Sequence, residues 1–146
     1  MSLVTEFFTD PIAFARLESE WQILLASSIT NTLFLTPLWQ RVWWDIFHPG
    51  ELCLITIRDA NRLVGIAPLY CETIDGVRRL SGVGAEWSDY LDWIIARENA
   101  PAIFAALLDA LSDSHVPAWD EFVLTDVPPH SLWLNEPQAA GAHGLV

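Results

Sequence analysis

The sequence predicts an α+β domain with a mixed, mostly antiparallel sheet flanked by helices. Two apolar, β-branched runs at residues 52–57 and 63–70 are joined by the polar stretch Arg58-Asp59-Ala60-Asn61-Arg62, the pattern of a β-hairpin. Two more runs, near residues 77–83 and 89–95, extend the hairpin into a meander. Helical periodicity is confined to the residues before this stretch and after it.

In chain order, residues 1–9 read as a short first strand with Val4, Phe7 and Phe8 apolar. Asp10-Pro11 starts a helix, because Asp caps the free N–H groups and Pro fits the first turn. Phe14, Leu17, Trp21 and Leu24 then mark one amphipathic face to about Ser28. Thr36-Pro37 repeats the start signal, and Leu38, Trp39, Val42, Trp43, Ile46 and Phe47 follow at helical spacing until Pro49-Gly50. Most of this aromatic helix is expected to pack on the sheet. Trp44 falls off the main stripe: partial burial is the simpler expectation, and lining a groove is the alternative. Pro68 cannot donate to a ladder, so it marks an edge or a bulge, and nearby Gly65 supports an irregularity there. Asp75-Gly76 is a tight hairpin turn. Residues 82–85 read as a loop and residues 89–95 as a strand with an acidic start. Asn99 and Pro101 open a third helix, whose Ile103, Phe104, Leu107, Leu108 and Leu111 share one face. Residues 119–127 read as a last strand. The domain is expected to span residues 1–127, with residues 128–146 a loop or frayed tail rich in Pro, Ala and Gly. No partner follows the last strand, so the fold is expected to be incomplete.

The chain has 146 residues, 52% of them apolar and 8 of them Trp, which is ample for one core and excludes disorder throughout. No run reaches the roughly 18 apolar residues of a membrane helix. The start, with Glu6 and Asp10, lacks the basic segment of a signal peptide, so a cytoplasmic protein is expected. The formal net charge is −12, which disfavours nucleic acid and demands local backbone help for any anionic cofactor. Cys53 and Cys71 match no zinc spacing and read as buried free thiols. His48, His115, His130 and His143 fall in loops or helix ends without partners, so no metal site is expected.

Taken together, Phe34-Leu35-Thr36-Pro37-Leu38-Trp39 with Trp43-Trp44, then Leu63-Val64-Gly65-Ile66-Ala67-Pro68-Leu69, then Gly82 followed by Ser88-Asp89-Tyr90-Leu91-Asp92 resemble a known family. The order of elements resembles the acyl-CoA N-acyltransferase fold of the GNAT superfamily. Within it, the chain is similar to the CelD-like proteins of cellulose or exopolysaccharide biosynthesis, distant relatives of the Fem aminoacyltransferases. The likeness covers about residues 30–127. It implies an acyl-CoA donor, acetyl-CoA or another, and a small-molecule amine acceptor. Such proteins carry two folds in tandem, the second holding the acyl-CoA and the first shaping the acceptor cleft. This chain resembles the first alone, so the resemblance implies a second GNAT-like domain or a homodimer as partner.

The residues at the usual phosphate turn support that assignment. In this family the turn between the fourth strand and the next helix is Gly-rich, and its N–H groups face the pyrophosphate. Here it reads Ala96-Arg97-Glu98-Asn99-Ala100-Pro101, with no glycine, one repelling carboxylate and one missing donor. Gly82-Val83-Gly84-Ala85 lies at the wrong end of the strand and reads as a turn. Acid–base candidates are Glu86, Asp89, Tyr90 and Asp92. Asp89 and Tyr90 are assigned the catalytic role at the acceptor mouth. Trp44, Trp87 and Asp92 are assigned to substrate binding. Asp89 and Asp92 differ by three, so on a regular strand they face opposite sides. Arg78-Arg79 reads as a solvated strand or turn.

The expected function is an acyltransferase-related acceptor half, inactive alone. One alternative is a non-catalytic module docking through an open sheet edge. The other is an acetyltransferase completed by homodimerisation.

Overall fold

A computed structural model describes residues 1–145. Strand β1 (Leu3–Phe8) leads into helices α1 (Ile12–Arg16) and α2 (Glu18–Ala26), then α3 (Pro37–Phe47). Strands β2 (Glu51–Asp59), β3 (Arg62–Ile74), β4 (Val77–Gly82) and β5 (Ile94–Ile95) follow. Helix α4 (Ala100–Ala110), strand β6 (Glu121–Val123) and the short helices α5 (Leu132–Asn135) and α6 (Pro137–Ala142) complete the chain. The sheet order is β1-β2-β3-β4-β6, with β5 also beside β3. All pairings are antiparallel except β4 with β6.

Local chemistry explains most of the boundaries. Asp10 Oδ1 accepts from the Ile12 N–H at 2.9 Å, as the Asp-Pro start requires. The expected single helix is broken at Leu17 into α1 and α2, but Phe14, Leu17, Trp21 and Leu24 are all buried as one face. Thr36 Oγ1 accepts from the Trp39 N–H at 3.3 Å and Pro37 occupies the first turn of α3. The turn between β2 and β3 places Ala60 and Asn61 both at positive φ, and Asp75-Gly76 does the same between β3 and β4. Such two-residue turns set the register, so Tyr70 opposes Ser81 and Glu72 opposes Arg79.

Alternation along β3 sends Tyr70 and Glu72 to one face and Gly65 and Cys71 to the other. On the first face, α3 packs Trp43 and Trp44 against Tyr70, at ring separations of 5.5 and 6.2 Å. On the second face, α4 approaches so closely that a Cβ on Gly65 would lie 2.6 Å from Ile103 Cγ2. Cys53 and Cys71 are free and buried, and burial pushes the Cys53 thiol up to about 12. No helix among the described residues is long and apolar enough to cross a membrane.

Three expectations are corrected. First, α3 turns a different face inward: Gln40, Trp43 and Trp44 are buried, whereas Leu38, Val42 and Ile46 are exposed. Gln40 Nε2 donates to the Phe34 and Val83 carbonyls, and this polar anchor with two indoles outweighs the aliphatic stripe. Second, the strand expected at 89–95 shrinks to β5, because Glu86 and Tyr90 take left-handed backbone and Asp92 turns into the protein. Third, residues 128–145 contain the short helices α5 and α6, and Trp133 packs on Trp93, Phe104 and Phe122. Val146, the end of the expected tail, lies outside the described residues.

Gly65→Ala is expected to lower stability by about 1–3 kcal/mol, because the β-branched Ile103 cannot swing aside without moving α4. Thermal and urea melts of the two proteins check this. An unchanged midpoint would mean that α4 does not seat on this glycine.

Candidate functional site

The fourth strand of the sheet is split. Its first half, β4, pairs with β3 as far as Gly82 opposite Leu69. Its second half, β5, rejoins β3 at Ile66 and Gly65. Pro68 lies in the gap between these contacts. The Pro68 carbonyl accepts from the Val83 N–H at 2.9 Å, so its backbone points into the gap. A residue's N–H and C=O point the same way from a strand, so the missing proline donor falls where no ladder is formed. Residues 83–93 leave the sheet here as a loop.

That loop is pinned at several points. Trp39 Nε1 donates to Ser88 Oγ at 2.8 Å, and Gln40 holds the Val83 carbonyl at 3.0 Å. Trp87 is 64% exposed and stacks on Phe47 at 5.8 Å and 10°. With Trp39 and Trp43 it lines a shallow apolar groove of about 200 Å³. Trp43, not Trp44, lines that groove. Trp44 is only 5% exposed and packs on Tyr70, which corrects its substrate-binding assignment.

Where β4 ends, the loop and the residues after β6 enclose a mouth of about 420 Å³. Tyr70 and Ser81, cross-strand partners, form its buried floor. Glu72, Arg79, Glu86 and Asp126 stand around them. Arg79 Nε is held by Glu121 at 2.6 Å, so much of its charge is answered outside the mouth. The remaining carboxylates make the mouth suited to a cation rather than an anion. Burial, then the Glu72 carboxylate, pushes the Tyr70 phenol up to about 12, with the Ser81 hydroxyl pulling the other way. Tyr70 therefore stays protonated at neutral pH and is a hydrogen-bond donor. Asp89 and the 54% exposed Tyr90 lie on the same loop but outside this lining. Of the sequence candidates, only Glu86 reaches the mouth. Tyr70, Glu72, Arg79 and Ser81 were missed, although the Asp75-Gly76 turn places them opposite one another by counting.

Asp92 does not face the mouth. It is 6% exposed and accepts three hydrogen bonds: from Thr30 Oγ1 at 2.6 Å, Ser131 Oγ at 2.8 Å and the Trp93 N–H at 2.8 Å. Its substrate-binding assignment is corrected to a tether joining the loop, the segment after α2 and the segment before α5. Burial raises its pKa above the usual carboxylate value, opposed mainly by the two hydroxyls.

The junction between β5 and α4 is the place to test a CoA pyrophosphate. The Ala96 N–H is taken by the Val64 carbonyl at 2.9 Å, and the Arg97 N–H by the Ser27 carbonyl at 3.2 Å. The Ile29 N–H closes the same seam onto the Ile95 carbonyl at 2.9 Å. Glu98 lies 3.6 Å from Arg62 and would repel a phosphate that used this cation. Asn99 is left-handed and makes no side-chain cap, contrary to expectation, and Pro101 has no donor. These residues do not fit a pyrophosphate cradle of the usual kind.

No protein-family model and no curated protein matches the chain. Among solved structures, it is similar to the ribosomal-protein-alanine N-acetyltransferase of Brucella melitensis biovar Abortus 2308, with a TM-score of 0.53 and 14% identity. That match covers 93% of this chain and 87% of the other. It is also similar to an aminoglycoside acetyltransferase from an uncultured soil metagenomic sample, with a TM-score of 0.54, 13% identity, and coverage of 96% and 88%. Both neighbours are GNAT acetyltransferases, and the chain has the GNAT fold.

The Asp92 tether has a pH signature. A raised acid pKa contributes stability that is full below the ordinary value of 3.8 and is lost as pH rises through the folded value. Asp92→Asn keeps the shape and removes this ionisation. Urea melts between about pH 3.5 and 7 are expected to show the stability gap moving in favour of Asn as pH rises, then levelling. A gap that is flat or moves the other way would contradict a carboxylate held against its preference.

Proposed function

We propose that this chain is the acceptor-side half of a tandem N-acyltransferase of the CelD-like kind, acting on an amine and inactive by itself. The observation that carries the reading is the β5–α4 junction, whose first two N–H groups are spent on Val64 and Ser27. The GNAT fold supplies the acyltransferase context. The acidic mouth floored by Tyr70 and Ser81 supplies the acceptor side.

In this reading the mouth receives a protonated amine, such as that of an amino sugar or amino acid. Glu72 and Glu86 offset its charge, and the Tyr70 hydroxyl donates to an acceptor atom of the same molecule. Asp89 and Tyr90, exposed on the loop beside the mouth, face the space where a donor domain would close. A proton leaving the amine would pass to Asp89 after that closure. The acyl-CoA is supplied by a second GNAT-like fold or a second copy of the chain. Among the described residues β6 pairs on one side only, with β4, which leaves an edge for that partner.

The test is turnover. The purified chain with acetyl-CoA and a panel of amino sugars and amino acids is expected to release free thiol no faster than buffer does. Robust turnover, lost in Asp89→Asn, would overturn the reading in favour of an autonomous enzyme.

A further inference from the structure

The segment after Pro128-Pro129 is held by the buried Ser131 and Ala140 and by Leu132, Trp133, Ala139 and Leu145, which are partly buried against the core. The paired prolines stiffen its entry. Ser131 Oγ, fully buried, donates to Asp92 Oδ1 at 2.8 Å and accepts from the Trp133 N–H at 3.2 Å. Trp133 inserts among Trp93, Phe104 and Phe122, at ring separations of 4.8, 5.3 and 5.2 Å. Near the far end, His143 Nε2 meets Asp109 Oδ1 at 2.5 Å on the surface. Apart from the Trp133–Phe122 stack, an open groove of about 590 Å³ runs between the segment and β6, bounded by Phe122, Leu124, Trp133 and Ala140.

Two features weaken the docked state. Among the described residues, the buried indole N–H groups of Trp93 and Trp133 have no hydrogen-bond partner. Lifting the segment would give the Trp133 donor to water, so docking forfeits that bond. The open groove leaves part of the segment's inner face against solvent instead of β6. Elements with few buried contacts open at much lower free energy than the core.

The decisive feature is that the polar pin is shared. Asp92 closes the loop of residues 83–93, and its second oxygen, Oδ2, takes the Thr30 hydroxyl at 2.6 Å. The other end of that loop is held by Trp39 on Ser88 and Gln40 on Val83. One carboxylate therefore holds both the terminal segment and the loop that forms the mouth.

We propose that residues 130–145 are an openable strap, and that Asp92 couples the docking of the strap to the order of the mouth loop. When the strap lifts, Asp92 loses the Ser131 donor, and the loop loses part of its anchorage. When the loop is held still, the strap finds its acceptor already placed. Coupling of this kind is reciprocal, so disturbing either element loosens the other.

Hydrogen exchange of the full chain, read by segment, tests this with three variants. Ser131→Ala removes the strap's bond to Asp92 and its cap on the Trp133 N–H, and leaves the Thr30 and Trp93 bonds to Asp92 intact. It is expected to speed exchange in 130–145 by about tenfold and to speed exchange in 83–91 as well, with β2 and β3 unchanged. Ser131→Thr restores the hydroxyl and is expected to return both segments toward the original rates. Trp39→Phe cuts the loop's opposite anchor without touching the strap, and is expected to speed exchange in 83–91 and in 130–145 together. Faster exchange in the altered element alone, no change in either, or an equal rise throughout the core would overturn the coupling.

Discussion

The structure depends on one constraint: β3 cannot carry a continuous partner along its outer edge. Pro68 has no N–H to give, and its carbonyl is taken by Val83 just where β4 ends. The chain must leave the sheet and return at Ile94, opposite Ile66. The loop so formed supplies one wall of the mouth. Its return brings Asp92 inward to Thr30 and Ser131, and its crest sets Trp87 on the aromatic helix α3. The acidic mouth, the tether and the exposed Asp89-Tyr90 bend all follow from that break.

Much of this was legible in the residues. Thr36-Pro37 opened α3 where it was expected, because cap chemistry is local. Asp75-Gly76 implied the register that sets Tyr70 beside Ser81, since a two-residue turn leaves no freedom in counting. Pro68 signalled an irregularity. What was illegible depended on tertiary choice. Gln40 rotates α3 through two distant carbonyls, and no helical periodicity reports those partners. Asp92 looks like any acidic strand residue until Thr30 and Ser131 arrive from either end of the chain. The terminal segment looked frayed because its main anchors, Ser131 and Trp133, stand among Pro, Ala and Gly that mask them.

The site divides by charge. Around the mouth, Glu72, Glu86 and Asp126 outnumber an arginine already answered by Glu121. At the β5–α4 junction, the Ala96 and Arg97 N–H donors are taken by the Val64 and Ser27 carbonyls. A protein of net charge −12 can hold a polyphosphate only through such local donors. In the proposed reading, the mouth seats a cationic acceptor and the junction lacks the usual seat for the anionic donor.

The central claim is that withheld seat. Calorimetric titration of acetyl-CoA into the purified chain, with its solution mass measured alongside, tests it directly. The account predicts no binding heat up to millimolar ligand. Micromolar binding would contradict it, because the junction would then hold a phosphate with Ala96 and Arg97 spent on Val64 and Ser27, or with those two bonds broken.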